Sequence, residues 1–265
     1  MLIPMSHPLP SNVRPLIAAN WKMHKLLTEA QNWAEDFLVA LEQQGNDAVD
    51  LAICAPFIQL ASLNLVLQEG GVALGAQDLS PHGQGAHTGD ISADMLCDVG
   101  VHYVIVGHSE RRSHYQEGDE SVRLKVQAAL AAGLCPILCV GESLAEREAG
   151  QALDVSLGQL KAALADVELQ QADALVVAYE PVWAIGTGKT ASSADAQEMC
   201  AAIRQELRGL YPTLADEMRI LYGGSMKANN AAELLAQEDI NGGLVGSASL
   251  DIDSMLAMIG AISSA

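Results

Sequence analysis

Eight short apolar runs punctuate the chain. They begin near Leu16, Leu51, Val72, Tyr103, Cys135, Leu175, Arg219 and Gly243 and read LIAANW, LAICAPF, VALGAQD, YVIVGHS, CPILCVG, LVVAYEP, RILYGG and GGLVGS. Runs that are apolar at nearly every position, without strict alternation, suit parallel strands covered on both faces. Most of the intervals hold stretches with helical spacing. From Thr28 to Gln44, the residues Ala30, Trp33, Phe37, Leu38 and Leu41 fall on one face of a helix. Segments 120–132, 153–164, 193–210, 230–236 and 251–262 read the same way, with Ser193 and Asp251 placed to cap two of them. Strand and helix units repeated over about 250 residues predict an α/β single-domain (β/α)8 barrel over residues 16–265. Residues 1–15 form a proline-containing N-terminal extension ahead of it. The strand starts lie 21 to 44 residues apart, too irregular for a sequence repeat. A doubly wound open sheet is the rival architecture, but no G-x-G-x-x-G follows the first run.

Composition narrows the classes. With 265 residues, half of them hydrophobic and 18% charged, the chain can bury a sizeable core and is not disordered. No apolar run reaches the ~18 residues of a membrane span, and the first residues lack the basic and apolar regions of a signal peptide. A net charge of −19 argues against nucleic acid and anionic membranes as partners. The five cysteines, 54, 97, 135, 139 and 200, form an odd set with no C-x-x-C pair. Core thiols in a reducing cytoplasm fit that set better than disulfides or a metal site.

Candidate chemistry gathers where the runs end, and in a barrel those ends share one mouth. Asn20 and Lys22 follow the first run, His108 and Glu110 the fourth, and Glu180 the sixth. Gly223, Gly224 and Ser225 follow the seventh, and Gly246 and Ser247 the eighth. A lone lysine after a strand is ordinarily a solvated loop charge; its place at a barrel mouth raises its standing. His108 sits where a helix can begin, so backbone amides could keep it neutral and donating. The plain alternative is a structural histidine. His7, His24, His82, His87, His102 and His114 have no such setting. A carboxylate ending a strand and entering a glycine-tipped loop suggests a base beneath a lid, with Pro181-Val182-Trp183 and Lys189-Thr190-Ala191 as the lid's edges. The glycine-rich turns suit a phosphate cradle of backbone N–H groups. Three tempting motifs fail. Gly188-Lys189-Thr190 lacks the earlier glycine of a P-loop, because position 183 is Trp. Gly223-Gly224-Ser225-Met226-Lys227 and Gly107-His108-Ser109-Glu110-Arg111 lack the last glycine of a nucleophile elbow.

Asn20-Trp21-Lys22-Met23, Gly107-His108-Ser109-Glu110-Arg111-Arg112, Cys139-Val140-Gly141-Glu142, the segment 178–188, Tyr222-Gly223-Gly224-Ser225 and Leu244-Val245-Gly246 occur in this order. Across residues 16–262 the chain resembles the triosephosphate isomerase family. The resemblance implies interconversion of dihydroxyacetone phosphate and D-glyceraldehyde 3-phosphate through an enediolate, in glycolysis and gluconeogenesis, with no metal and no cofactor. It assigns Glu180 as base, His108 as electrophile, Lys22 as electrostatic partner of the substrate and Glu110 as the carboxylate beside Lys22. Asn20 shapes the site, and Gly186, Ser225, Gly246 and Ser247 offer amides to the phosphate. Lys22 is then the one full positive charge expected near that phosphate. The family usually has Gly-Gly where this chain has Gly246-Ser247, which is harmless unless position 247 needs a positive φ.

The resemblance also implies a cytoplasmic homodimer. The segment from Gln77 to Asp90 is far longer than the two to six residues of a simple βα turn. In the family it enters a pocket of the other subunit, which would bring Thr88 near Asn20 and Glu110 of the second copy. Two other functions compete: a different phosphate-binding barrel enzyme, and a catalytically silent barrel acting as a scaffold. Neither needs Lys22, His108, Glu180 and the lid together.

Overall fold

The computed structural model describes residues 13–46, 48–184 and 191–263. Eight parallel strands close into one barrel in sequence order: β1 (Leu16–Asn20), β2 (Asp50–Ala55), β3 (Ala73–Ala76), β4 (Tyr103–Val106), β5 (Cys135–Val140), β6 (Val176–Tyr179), β7 (Arg219–Tyr222) and β8 (Gly242–Val245). The ring shuts where Leu16 pairs with Gly242 and Ala19 with Val245. Ten helices are described: α1 (Leu27–Gln44), α2 (Phe57–Leu67), α3 (Ala93–Asp98), α4 (Ser109–His114), α5 (Asp119–Ala131), α6 (Leu144–Glu148), α7 (Ala152–Ala163), α8 (Ser193–Leu210), α9 (Ala228–Leu235) and α10 (Ile252–Ser263). The expected strand starts agree to within one residue. None of the described helices is long and apolar enough to cross a membrane.

Two apolar layers explain why the strands read as unbroken hydrophobic runs. Leu16, Ala18, Ala52, Cys54, Ile105, Ile137, Cys139, Val176, Ala178 and Leu221 pack together inside the barrel. The alternate residues, such as Ile17, Ala19, Ile53, Val104, Leu138 and Val177, join the larger core under the helices. Both faces of each strand are therefore buried. Side chains alternate along a strand, so inward-facing Val176 and Ala178 make Glu180 the next inward position, and Leu16 and Ala18 do the same for Asn20.

Helix boundaries follow local chemistry. Ser192, not Ser193, caps α8: its Oγ accepts from Asp195 N at 3.1 Å, and Asp195 Oδ2 accepts from Ser192 N at 3.0 Å and Oγ at 2.6 Å. Asp251 caps α10 as expected, accepting from Ser254 N at 2.9 Å. All five cysteines are free. Cys54, Cys135, Cys139 and Cys200 are buried; Cys97 on α3 is exposed and departs from the expected core placement.

Candidate active site

Lys22 carries the most constrained backbone at the barrel mouth. Its φ is +53°, in the left-handed region that side chains other than glycine's disfavour. Two side chains hold it there. Asn20 Oδ1 accepts from Lys22 N at 3.0 Å, and Gln77 Nε2 donates to Lys22 O at 2.9 Å and to Cys54 O at 3.0 Å. The Lys22 ammonium is hydrogen-bonded to Glu110 Oε1. Burial pushes the Glu110 carboxyl up, but the Lys22 hydrogen bond and the surrounding positive charge outweigh it and hold the group below the ordinary carboxylate range.

Gly107, with φ at +72°, ends β4 and turns the chain so that His108 becomes the N-cap of α4. The helix-start expectation for His108 therefore holds. Glu110 N donates to His108 Nδ1 at 3.2 Å. That nitrogen thus presents a lone pair, and in the neutral ring Nε2 carries the proton. Glu110 Oε2 lies 3.7 Å from Nδ1, too far to accept a hydrogen bond from that nitrogen. The Nε2–H faces Glu180 Oε1 at 3.1 Å, with Asn20 Nδ2 3.3 Å from the same nitrogen.

Glu180 is 2% exposed. A buried carboxylate needs donors, and it has three: Ser109 N at 2.9 Å, Ser109 Oγ at 3.0 Å and His108 Nε2–H. Ser109 is a functional neighbour that the sequence reading missed. Beneath the site, Cys139 has its thiol pushed well up by burial, then by the nearby Glu180 charge, so it stays protonated. A second missed cluster flanks the start of the expected lid. Glu142 is fully buried and accepts from Trp183 Nε1 at 2.8 Å, Tyr179 Oη at 3.1 Å and Arg147 Nη1 at 3.1 Å.

Asn20, Lys22, His108, Glu180, Ser225, Gly246 and Ser247 all line one cavity of about 230 Å³. Glu110 joins it through Lys22. Gly186 and most of the expected lid lie outside the described residues. A Cβ on Gly224 would lie 2.2 Å from the Tyr222 hydroxyl oxygen, so a side chain there would have to displace the buried Tyr222 ring. A Cβ on Gly246 would meet only Lys22 Cε, at 3.6 Å, so its bareness leaves room for a ligand rather than for the protein. Ser247 is not among the residues with positive φ, and its side chain imposes no strain there. Lys227 lines the same cavity and is a second lysine beyond the single cation expected.

A closed eight-stranded barrel whose mouth joins a buried carboxylate, a donating imidazole, a lysine and glycine-rich turns defines the class: a phosphate-handling isomerase of the (β/α)8 type. The chain belongs to the triosephosphate isomerase family, whose model matches residues 15–262. It is 52% identical over 245 residues to the triosephosphate isomerase of Thiobacillus denitrificans, covering 92% of this chain and 97% of the relative. It is 50% identical over 247 residues to that of Chloroflexus aurantiacus, covering 92% and 98%. The crystal structure of the Bartonella henselae triosephosphate isomerase superposes with a TM-score of 0.84 at 38% identity, over 96% of this chain and all of that one. The reaction is the aldose–ketose interconversion of dihydroxyacetone phosphate and D-glyceraldehyde 3-phosphate, a step of glycolysis and gluconeogenesis.

Proposed function

We propose that Glu180 is the base that moves the proton between the two carbons, with His108, Asn20, Lys22 and Glu110 arranged around it. The 3.1 Å approach of Glu180 Oε1 to His108 Nε2 carries this reading. In the structure Glu180 rests on Ser109 and His108. When substrate enters, the carboxylate leaves those donors and takes a proton from the carbon beside the carbonyl. His108 Nε2–H, with Asn20 Nδ2 beside it, then faces the oxygen on which charge develops. A proton then passes from the hydroxyl oxygen to the former carbonyl oxygen by way of His108 Nε2, the carbon-bound proton is delivered to the neighbouring carbon, and the carboxylate is regenerated. Lys22, steadied by Glu110, counters the charge of the substrate. Ser225, Gly246, Ser247 and Gly186 supply amides to the phosphate. A closing segment at 182–190 keeps water from the enediolate. Exchange of substrate carbon-bound hydrogen with D2O tests the assignment directly. Glu180→Gln should abolish exchange and isomerisation together, and exchange surviving at the wild-type rate would overturn it.

The working unit is a cytoplasmic homodimer, with residues 16–265 as one catalytic barrel and 1–15 as a lead-in. Exposed apolar side chains support the dimer: Met23 is 93% exposed and Ile58 80%, with Leu26 and Tyr115 also exposed. The segment 82–90, exposed in the single chain, supports it too. A second copy would cover both features and place Thr88 near the other subunit's site. Sedimentation showing an active monomer at assay concentrations would exclude it.

A further inference from the structure

The chain has 33 acidic and 14 basic side chains. Cations in such a chain find carboxylates, and nearly every described one does so within 4.0 Å. The two exceptions among the described residues are Lys25 and Lys227. Lys25 is engaged otherwise: its Nζ donates to Leu250 O at 3.2 Å and lies 5.2 and 5.4 Å from the ring centres of Trp21 and Trp33. The side chain of Lys227 makes no ion pair or ring contact and donates no hydrogen bond. Glu233, which shares a neighbouring cavity with it, is taken by Ser193 Oγ at 2.5 Å.

The position of Lys227 gives that isolation a consequence. It is exposed at the rim, two residues beyond Ser225, and lines both the 230 Å³ cavity that holds Glu180 and the adjoining 320 Å³ cavity beside Ser192. Inside the mouth, Lys22 is shared with Glu110, and the Glu180 carboxyl has no lysine or arginine partner among the described residues. A phosphate dianion therefore approaches a site with an uncompensated carboxylate, on a chain whose net charge is −19. Among the described groups lining the cavity, Lys227 is the unpaired ammonium that opposes this field.

We propose that Lys227 is a capture residue: it raises the rate at which the dianionic substrate enters, and takes no part in the proton transfer. An ammonium about 8 Å from a dianion in water shifts its local concentration about fivefold at low salt, and less once the screening length falls to a similar distance. The test is steady-state kinetics on D-glyceraldehyde 3-phosphate for wild type, Lys227→Met, Lys227→Glu and Lys227→Arg, at low and at near-physiological ionic strength, with melting curves for each. Lys227→Met should lower kcat/KM about three- to tenfold at low salt and leave kcat within twofold. Lys227→Glu should fall further, and Lys227→Arg should restore the wild-type value. The gap between wild type and Met should close as salt is added. Equal kcat/KM for Met and wild type at low salt would overturn the proposal. So would a loss that salt does not diminish, that appears in kcat, or that follows a lowered melting temperature, since those mark a structural role.

Discussion

Replacing Glu180 by Gln separates the chemistry of the base from its fit. The two side chains are nearly isosteric, so the strand end and its neighbours keep their places. As a general base, the carboxylate contributes about 10²- to 10⁴-fold, or about 3–5 kcal/mol of barrier. The structural cost is smaller and can be bounded. Glu180 offers acceptors to Ser109 N, Ser109 Oγ and His108 Nε2–H. Gln offers one oxygen and an NH2. The Ser109 hydroxyl can turn and accept, but one of the two fixed N–H donors then faces another donor. An unmatched buried donor costs about 1–3 kcal/mol, and loss of a desolvated charge offsets part of it. At about 2–4 °C per kcal/mol for a chain of this size, the melting temperature should fall by no more than about 10 °C. A coupled assay that consumes dihydroxyacetone phosphate as it forms should therefore show kcat down at least 100-fold in a protein still folded at 25 °C, with KM changed far less. Turnover within threefold of wild type would refute the assignment of the base.

Lys22→Ala should weaken a phosphate-bearing substrate analogue by about tenfold or more in calorimetry, whereas Ser247→Gly should leave its affinity within about twofold, because the amide at 247 is unchanged; the reverse order would contradict the cradle. Shortening residues 80–87 should yield monomers by sedimentation with a large loss of kcat, and dimers of full activity would show that the loop is not the interface. The Asp195 carboxyl is held below its ordinary value by the Ser192 hydroxyl, then by the Ser192 N–H. Its folded value lies below the unfolded one near 3.9, so its contribution to stability is present above that pH and lost as the pH falls through the folded value. Asp195→Asn should consequently lower the urea midpoint at pH 6, and the gap to wild type should close as the pH falls below the ordinary carboxylate value; a gap that does not change with pH would refute the cause. Gly223→Ala would place a Cβ 2.9 Å from Glu180 Cγ, and kcat should drop about 10- to 100-fold with the fold retained; unchanged kcat would mean that the base adapts freely.

Strands were legible because burial on both faces makes them unmistakable apolar runs. The helices that escaped sequence reading did so for definable reasons. Helix α2, Phe57–Leu67, is apolar on nearly all sides and has no polar stripe to set a helical period. Helices α3 and α6 have six and five residues, fewer than two turns. The one-residue error at α8 was avoidable, since Ser192 stands three residues before Asp195, the spacing of reciprocal capping, and Ser193 lacks an acid at that distance. In the site, the strand-end positions of Asn20 and Glu180 follow from alternation along β1 and β6. The role of Ser109 does not. It depends on Glu180 reaching across 71 positions of sequence to a backbone N–H that is free only because α4 begins there. The φ of Lys22 was equally hidden, because lysine gives no sign of a left-handed backbone.

The glycines on either side of Glu180 show how much of this chemistry is prepared by the backbone. Gly141 follows β5 and Gly223 follows β7, the two strands that flank β6. A Cβ at Gly141 would stand 1.8 Å from Glu180 O, and one at Gly223 would stand 3.0 Å from Tyr179 O as well as against Glu180 Cγ. Neither glycine has a positive φ, so conformational freedom is not what selects them. Close approach is. With both neighbours bare, the end of β6 sits deep between them: Glu180 N donates to Val140 O at 2.8 Å, and Gly223 N to Tyr179 O at 2.7 Å. The main chain of Glu180 is thereby clamped from both sides, and its freedom is confined to the side-chain torsions. In the proposed role, a base that leaves one set of donors to meet a carbon within a fraction of an ångström would gain from that division. The fixed part is built into glycine-edged strands, and the movable part is a single side chain.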